Sequence, residues 1–251
     1  GGTHTVDIVQ ADLILSTTDV TRVYDGSLSA VGNATAVAGT TVFTGDSLSG
    51  GDYAFTDANA GTNKTVTATA VSVIDGNGGA NYNVSYADNT TSIINQADIT
   101  ISSVDVSKTY DGDTAATGSA TITSGTLFTN VSNGSVLDHL SGGIFTFTDK
   151  NASSGDKVVT ESGVTVSDGN GAGNYNVTYA DNTTSTINPY VVDTSGTRVY
   201  DGTVDISSSD LTLGSLVGTE TLVLSGNGTV ADKHVATDKA VTLATLVLGD
   251  G

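Results

Sequence analysis

The chain has 251 residues, with 27 acidic against 8 basic side chains, a formal charge of −19, no cysteine, methionine or tryptophan, and one proline. This excludes a disulfide framework, a cysteine-ligated metal and a thiol nucleophile; so acidic a surface also argues against nucleic acid and anionic membranes, which require clustered Lys and Arg. With 37% apolar residues, 42 threonines and 31 glycines, the composition favours strands and turns and is too apolar for a disordered chain.

No stretch reaches the ~20 apolar residues of a membrane helix, and no signal peptide opens the chain. A chain without methionine that opens Gly1-Gly2 is expected to be an interior piece of something longer.

The elements come in three rounds, and the repeat organises everything else. Gln10-Ala11-Asp12 leads without a gap to Tyr24-Asp25-Gly26, as Gln96-Ala97-Asp98 leads to Tyr110-Asp111-Gly112, and the triplet returns as Tyr200-Asp201-Gly202. Asp-Gly predicts a tight turn with positive φ at glycine, and the tyrosine is expected to pack its ring and hydrogen-bond its hydroxyl close by. A second block follows around Asp57, Asp149 and Asp232. The second round is longer here, 39 residues from tyrosine to aspartate against 33 and 32, and the excess over 130–143 predicts a lengthened surface loop.

Lys64, Lys157 and Lys239 then open a valine-rich stretch expected to form a strand pair, ending on Asp75-Gly76, Asp168-Gly169 and Asp250-Gly251, each 11 residues after its lysine. Last comes Asn81-Tyr82-Asn83-Val84-Ser85-Tyr86, twinned by Asn174–Tyr179, whose period-two alternation predicts a half-buried strand. Other expected strands are 99–106, 119–123, 143–147 and 184–187, with no amphipathic helix. The third round stops before the Asn-Tyr block. Boundaries are expected at 1–96, 97–189 and 190–251, and Pro189 sits at the second junction.

All eight cations occupy three matched positions: Arg22, Lys108 and Arg198; Lys64, Lys157 and Lys239; and Lys150 with Lys233, replaced by Ala58 in the first round. They are expected to pair with equally matched carboxylates, at roughly 0–1 kcal/mol when solvated and more when buried. The sharper alternative is an isopeptide crosslink from Lys64, Lys157 or Lys239, which requires an apolar pocket that shifts the lysine and its acid. Asp75, Asn77, Asp168 and Asn170 offer oxygens on short loops, and Asp12, Asp98, Asp105 and Asp193 lie beside the junctions. These are the candidates for Ca2+, although no complete calcium-loop spacing is present. Gly76-x-Gly78 and Gly169-x-Gly171 precede no helix that could hold a pyrophosphate. The three histidines share no repeat position, no nucleophile elbow exists, and no catalytic constellation is expected.

The order Lys108-Thr109-Tyr110-Asp111-Gly112, Phe147-Thr148-Asp149-Lys150-Asn151, Lys157-Val158-Val159, Asn174-Tyr175-Asn176-Val177 and Thr186-Ile187-Asn188-Pro189 resembles the YDG/MBG-type repeats of large bacterial haemagglutinin-like (filamentous) surface adhesins. The other two rounds fit through Arg22-Val23-Tyr24-Asp25-Gly26 with Lys64, and Arg198-Val199-Tyr200-Asp201-Gly202 with Lys239. The resemblance implies a secreted or surface-held protein of a diderm bacterium, with these modules forming a stalk.

The expectation is therefore an all-β tandem array of β-sandwich-like or β-grasp-like repeat domains forming an elongated rod. It would be a non-enzymatic, extracellular, monomeric stalk whose partners are neighbouring repeats of the same long chain. A surface glycan or protein would be reached through another region, with no membrane insertion. The alternative is a carbohydrate-binding module, against which stands the absence of tryptophan.

Overall fold

The computed structural model describes residues 1–128 and 138–250. It is an all-β array, and its one departure among the described residues is a single 3-10 turn at Ser208–Asp210. The first repeat contains β1 (Ala11–Thr17), β2 (Thr21–Val23), β3 (Ala34–Ala36), β4 (Ser47–Phe55), β5 (Gly61–Ile74), β6 (Tyr82–Tyr86) and β7 (Asn89–Asn95). The second contains β8 (Ala97–Ser103), β9 (Ser107–Thr109), β10 (Ala115–Ala116), β11 (Ala120–Gly125), β12 (His139–Phe147), β13 (Ser153–Ser167), β14 (Tyr175–Tyr179) and β15 (Asn182–Asn188). The third contains β16 (Thr194–Gly196), β17 (Asp205–Ser207), β18 (Leu211–Leu213), β19 (Leu222–Ser225), β20 (Asn227–Val230), β21 (Val241–Thr242) and β22 (Val247–Asp250).

In the first repeat a three-stranded sheet, β3-β1-β6, faces a four-stranded sheet, β2-β7-β5-β4. Leu13 and Leu15 of β1, Val71 and Val73 of β5, and Tyr82 of β6 form the core between them. Each such apolar side chain contributes about 1.5–3 kcal/mol on burial. The early and late strands of the repeat lie side by side and run the same way: β1 pairs with β6 from Ala11↔Tyr82 to Leu15↔Tyr86, and β2 with β7 from Thr21↔Ile93 to Val23↔Asn95. The second repeat has the same plan, with the order β11-β8-β14 and a five-stranded β10-β12-β13-β15-β9. Its parallel pairs are β8 with β14 and β9 with β15. The third repeat holds three small sheets, β16-β18, β17-β20-β21 and β19-β22.

The expected valine strand pair is a single strand, β5 in the first repeat and β13 in the second. Its buried positions are Lys64, Val66 and Ala68, then Val71 and Val73, so the alternation slips by one residue. The slip falls at Ala70, φ 56°, matched by Gly163, φ 67°. One left-handed residue turns the strand over, and the opposite face becomes the inner one. The surface loop expected over 130–143 is also corrected: His139–Gly143 open β12, as Ser47–Gly51 open β4. The remainder of that stretch, 130–137, lies outside the described residues.

Contacts group the chain into two compact units. One comprises Gly1–Val104, Gly118–Phe145 and Thr160–Asp181; the other comprises Asp105–Thr117, Thr146–Val159 and Asn182–Gly251. The first unit thus joins the first repeat to one half of the second, and the other unit joins the remaining half to the third repeat.

Candidate functional site: the junction between repeats

Six of the eight cations sort as their positions foretell. Arg22 pairs with Asp25 at 2.5 Å, Lys108 with Asp111 at 2.7 Å, and Arg198 with Asp201 at 2.5 Å. Lys64, Lys157 and Lys239 pair with Asp57, Asp149 and Asp232. Each pair closes within its own repeat. Arg22 also stands 5.2 Å from the centre of the Phe55 ring, and Lys108 stands 5.6 Å from that of Phe147, so both cations cap the core below them. The side chain of Lys157 is 5% exposed and that of Lys239 is 21% exposed. Asp149→Asn is therefore expected to lower the melting temperature more than Asp232→Asn, because it strands the better-buried ammonium. These contacts are read as ion pairs, and intact-mass spectrometry is expected to return the unmodified 25.1 kDa chain. A loss of water or ammonia would identify a crosslink instead.

Gly26, Gly112 and Gly202 of the Tyr-Asp-Gly triplets sit at φ 73°, 84° and 85°, as the turn requires. Asp25 accepts from the Ser27 amide at 2.8 Å, and Asp201 accepts from that of Thr203 at 2.9 Å.

The tyrosine of the motif does something the sequence does not announce. Its hydroxyl leaves the repeat. Tyr24 donates to Oδ2 of Asp138, 114 residues away, at 3.0 Å, and Tyr175 donates to the same oxygen at 2.5 Å. The Tyr24 ring stands edge-on to Phe128, at 5.8 Å, and to Tyr175, at 5.4 Å. Beside it, Oδ1 of Asn174 accepts from the Ala60 amide at 2.8 Å, and Nδ2 of Asn174 donates to Asn59. The first repeat thus presents Tyr24, Asn59 and Ala60 to Phe128, Asp138, Asn174 and Tyr175 of the second.

The next junction repeats the theme. Tyr110 donates to Glu220, and Lys150 lies 3.9 Å from the same carboxylate. Val217 approaches so closely that a Cβ on Gly112 would meet it at 3.0 Å. A cleft of about 260 Å³ beside this contact is lined by Tyr110, Asn151, Pro189, Tyr190 and Glu220. Asp138 stands one residue ahead of β12 and Glu220 two ahead of β19, so the acceptor comes each time from the lead-in to a comparable strand. The sequence did hold one signal for it. Asp46-Ser47-Leu48-Ser49-Gly50-Gly51 matches Asp138-His139-Leu140-Ser141-Gly142-Gly143, and Asp46 accepts from Tyr82 at 2.6 Å just as Asp138 does from Tyr175.

The loop aspartates named as calcium candidates bind their own backbone. Asp75 accepts from the amides of Asn77, Gly79 and Asn81, and Asp168 accepts from those of Asn170, Ala172 and Asn174, at 2.7–3.0 Å. The side chains of Asn77 and Asn170 donate to Asn81 and Asn174. Asp12, Asp98 and Asp105 accept from Asn83, Asn176 and Asn182, and the Asp193 carbonyl accepts from Gly214. Among the described residues no three His, Asp or Glu side chains converge as a metal ion would need.

Two opposite electrostatic settings follow. Hydrogen bonds from Lys108, Lys157 and Lys239 hold Asp111, Asp149 and Asp232 below the ordinary 3.8. Burial raises Asp138 above it, and the nearby charge of Asp168 adds to the rise. The depressed groups give stability that is present above 3.8 and lost as pH falls through their lower folded values. Asp138 gives stability that is full below 3.8 and lost as pH rises through its higher folded value. On acidification the first unit, which holds Asp138, is therefore expected to gain stability before pH 3.8, and the second, which holds Asp111, Asp149 and Asp232, is expected to lose it below. Asp138→Asn should abolish the gain and leave the acid loss, as read by melting temperature against pH.

The YDG domain family matches residues 10–91, 95–186 and 183–251. The chain belongs to the YDG domain family. No curated protein and no solved structure matches it. The three YDG segments coincide with the three rounds of ion pairs, and the motif tyrosines of the first two join each YDG repeat to the one that follows.

Proposed function

We propose that this chain is a structural stalk segment of a large secreted or surface-held bacterial adhesin, supporting cell attachment and biofilm formation. The observation that carries the reading is the recurrent junction: in each unit the motif tyrosine of one YDG repeat donates to an acidic side chain of the next. A module whose signature residue is committed to its successor suits a serial array. The formal charge of −19 supports it further, since like-charged stalks repel one another and resist lateral aggregation. The adhesin's own ligand would be held elsewhere, with these repeats as spacers on the cell surface.

Small-angle scattering of the chain tests this. A maximum dimension near that of repeats placed end to end is the expected result, and a compact globule would overturn it. A glycan array provides the second arm. Saturable binding to one glycan would replace the stalk with a carbohydrate-binding module.

A further inference from the structure

The Asp75 and Asp168 loops are built alike and leave the same amide free. In the first, Asp75 takes the amides of Asn77, Gly79 and Asn81, and the Asn77 carbonyl takes that of Ala80. In the second, Asp168 takes the amides of Asn170, Ala172 and Asn174, and the Asn170 carbonyl takes that of Gly173. Among the described residues the amides of Gly78 and Gly171 have no acceptor. Each follows an exposed asparagine, and a Cβ placed on either glycine would meet nothing within 4 Å.

We propose that Asn77 and Asn170 are sites of spontaneous deamidation, and that Asn170 is placed so that its conversion loosens the junction between the first two repeats. The glycine nitrogen attacks Cγ of the asparagine ahead of it. The new N–Cγ bond forms as Cγ–Nδ2 breaks, and the amide proton leaves with Nδ2 as ammonia. Water then opens the succinimide to aspartate or isoaspartate, so each event adds one negative charge. A glycine suits the attack because no side chain crowds the closing ring and its backbone turns freely.

The two sites differ in what holds them. Attack requires the main chain to leave its loop geometry, so the rate follows the fraction of time the loop stands open. Nδ2 of Asn77 donates to Asn81, which is exposed, whereas Nδ2 of Asn170 donates to Asn174, which is fully buried. Asp168 is buried as well, and Asp75 is only half-buried. Asn77 therefore converts first. Conversion of Asn170 reaches further. Its new carboxylate has no proton to offer Oδ1 of Asn174, the atom that also accepts from the Ala60 amide of the first repeat. Isoaspartate also lengthens the main chain by a methylene just ahead of Gly171. The inference is independent of the stalk reading.

The test is incubation of the intact chain at mildly alkaline pH, followed by peptide mapping with mass spectrometry. Asn77 is expected to convert about tenfold faster than Asn170, with aspartate and isoaspartate both among the products. Asp168→Ala should bring Asn170 up to the rate of Asn77. Hydrogen exchange at Ala60 should quicken in Asn170→Asp and stay unchanged in Asn77→Asp. Equal rates at the two asparagines would overturn the proposal, as would no conversion at either by the time a urea-unfolded sample has converted fully. So would unchanged exchange at Ala60 in Asn170→Asp.

Discussion

Replacing Tyr24 with alanine is expected to cost the first unit about 3–5 kcal/mol, whereas Tyr200→Ala should change stability by no more than about 0.5 kcal/mol. The two residues occupy the same motif position, and their surroundings make the difference. Tyr24 is buried, edge-on to two aromatic rings, with its hydroxyl on Asp138. Tyr200 is largely in water. Tyr24→Phe separates the two contributions. It keeps the ring contacts but takes one of two donors from a buried carboxylate whose Oδ1 already has no partner among the described residues, for about 1–3 kcal/mol. Urea unfolding followed by tyrosine fluorescence would read all three variants. Equal losses at Tyr24 and Tyr200 would show that the triplet serves only its own turn, with no part in joining repeats.

Asp168→Ala is expected to be nearly as severe, at about 3 kcal/mol. The substitution removes a buried carboxylate that collects three backbone amides, and it leaves those donors without acceptors. It also frees the loop that holds Asn174, which bonds across to Asn59 and Ala60, so the damage should reach the first repeat. The matched Asp75→Ala should cost less, because its loop is more open and water can replace the lost acceptor. Melting curves for the two variants, with hydrogen exchange at Ala60, would check both the ranking and the reach. An unchanged exchange rate at Ala60 in Asp168→Ala would separate the loop from the junction.

Much of this was legible in the sequence because it is local. Period-two alternation marks β6 and β14, and a turn needing positive φ marks each Asp-Gly. Cations confined to matched positions in so acidic a chain foretell the ion pairs. What escaped is non-local or silent. Nothing about Tyr24 names a partner 114 residues away, since contact across a junction follows no period along the chain. The slip in β5 turns on Ala70, a residue with no preference for a left-handed backbone, and only Gly163 in the matching place of β13 hints at it. The strand β12 was hidden because extra residues just ahead of it made its glycine- and serine-rich start read as loop.

The parallel pairing of early and late strands has a mechanical consequence. In the first repeat β1 lies along β6 and β2 along β7, each pair running the same way, so the chain enters a paired region at one end and leaves it at the other. Pulling on the two ends of the repeat would slide these strands past one another lengthwise. Their hydrogen bonds would then share the force at once instead of parting one by one, as they would in a hairpin opened from its mouth. The same holds for β8 with β14 and for β9 with β15. Resistance to shear is thus built into the order of the strands, and it needs neither a disulfide nor a metal.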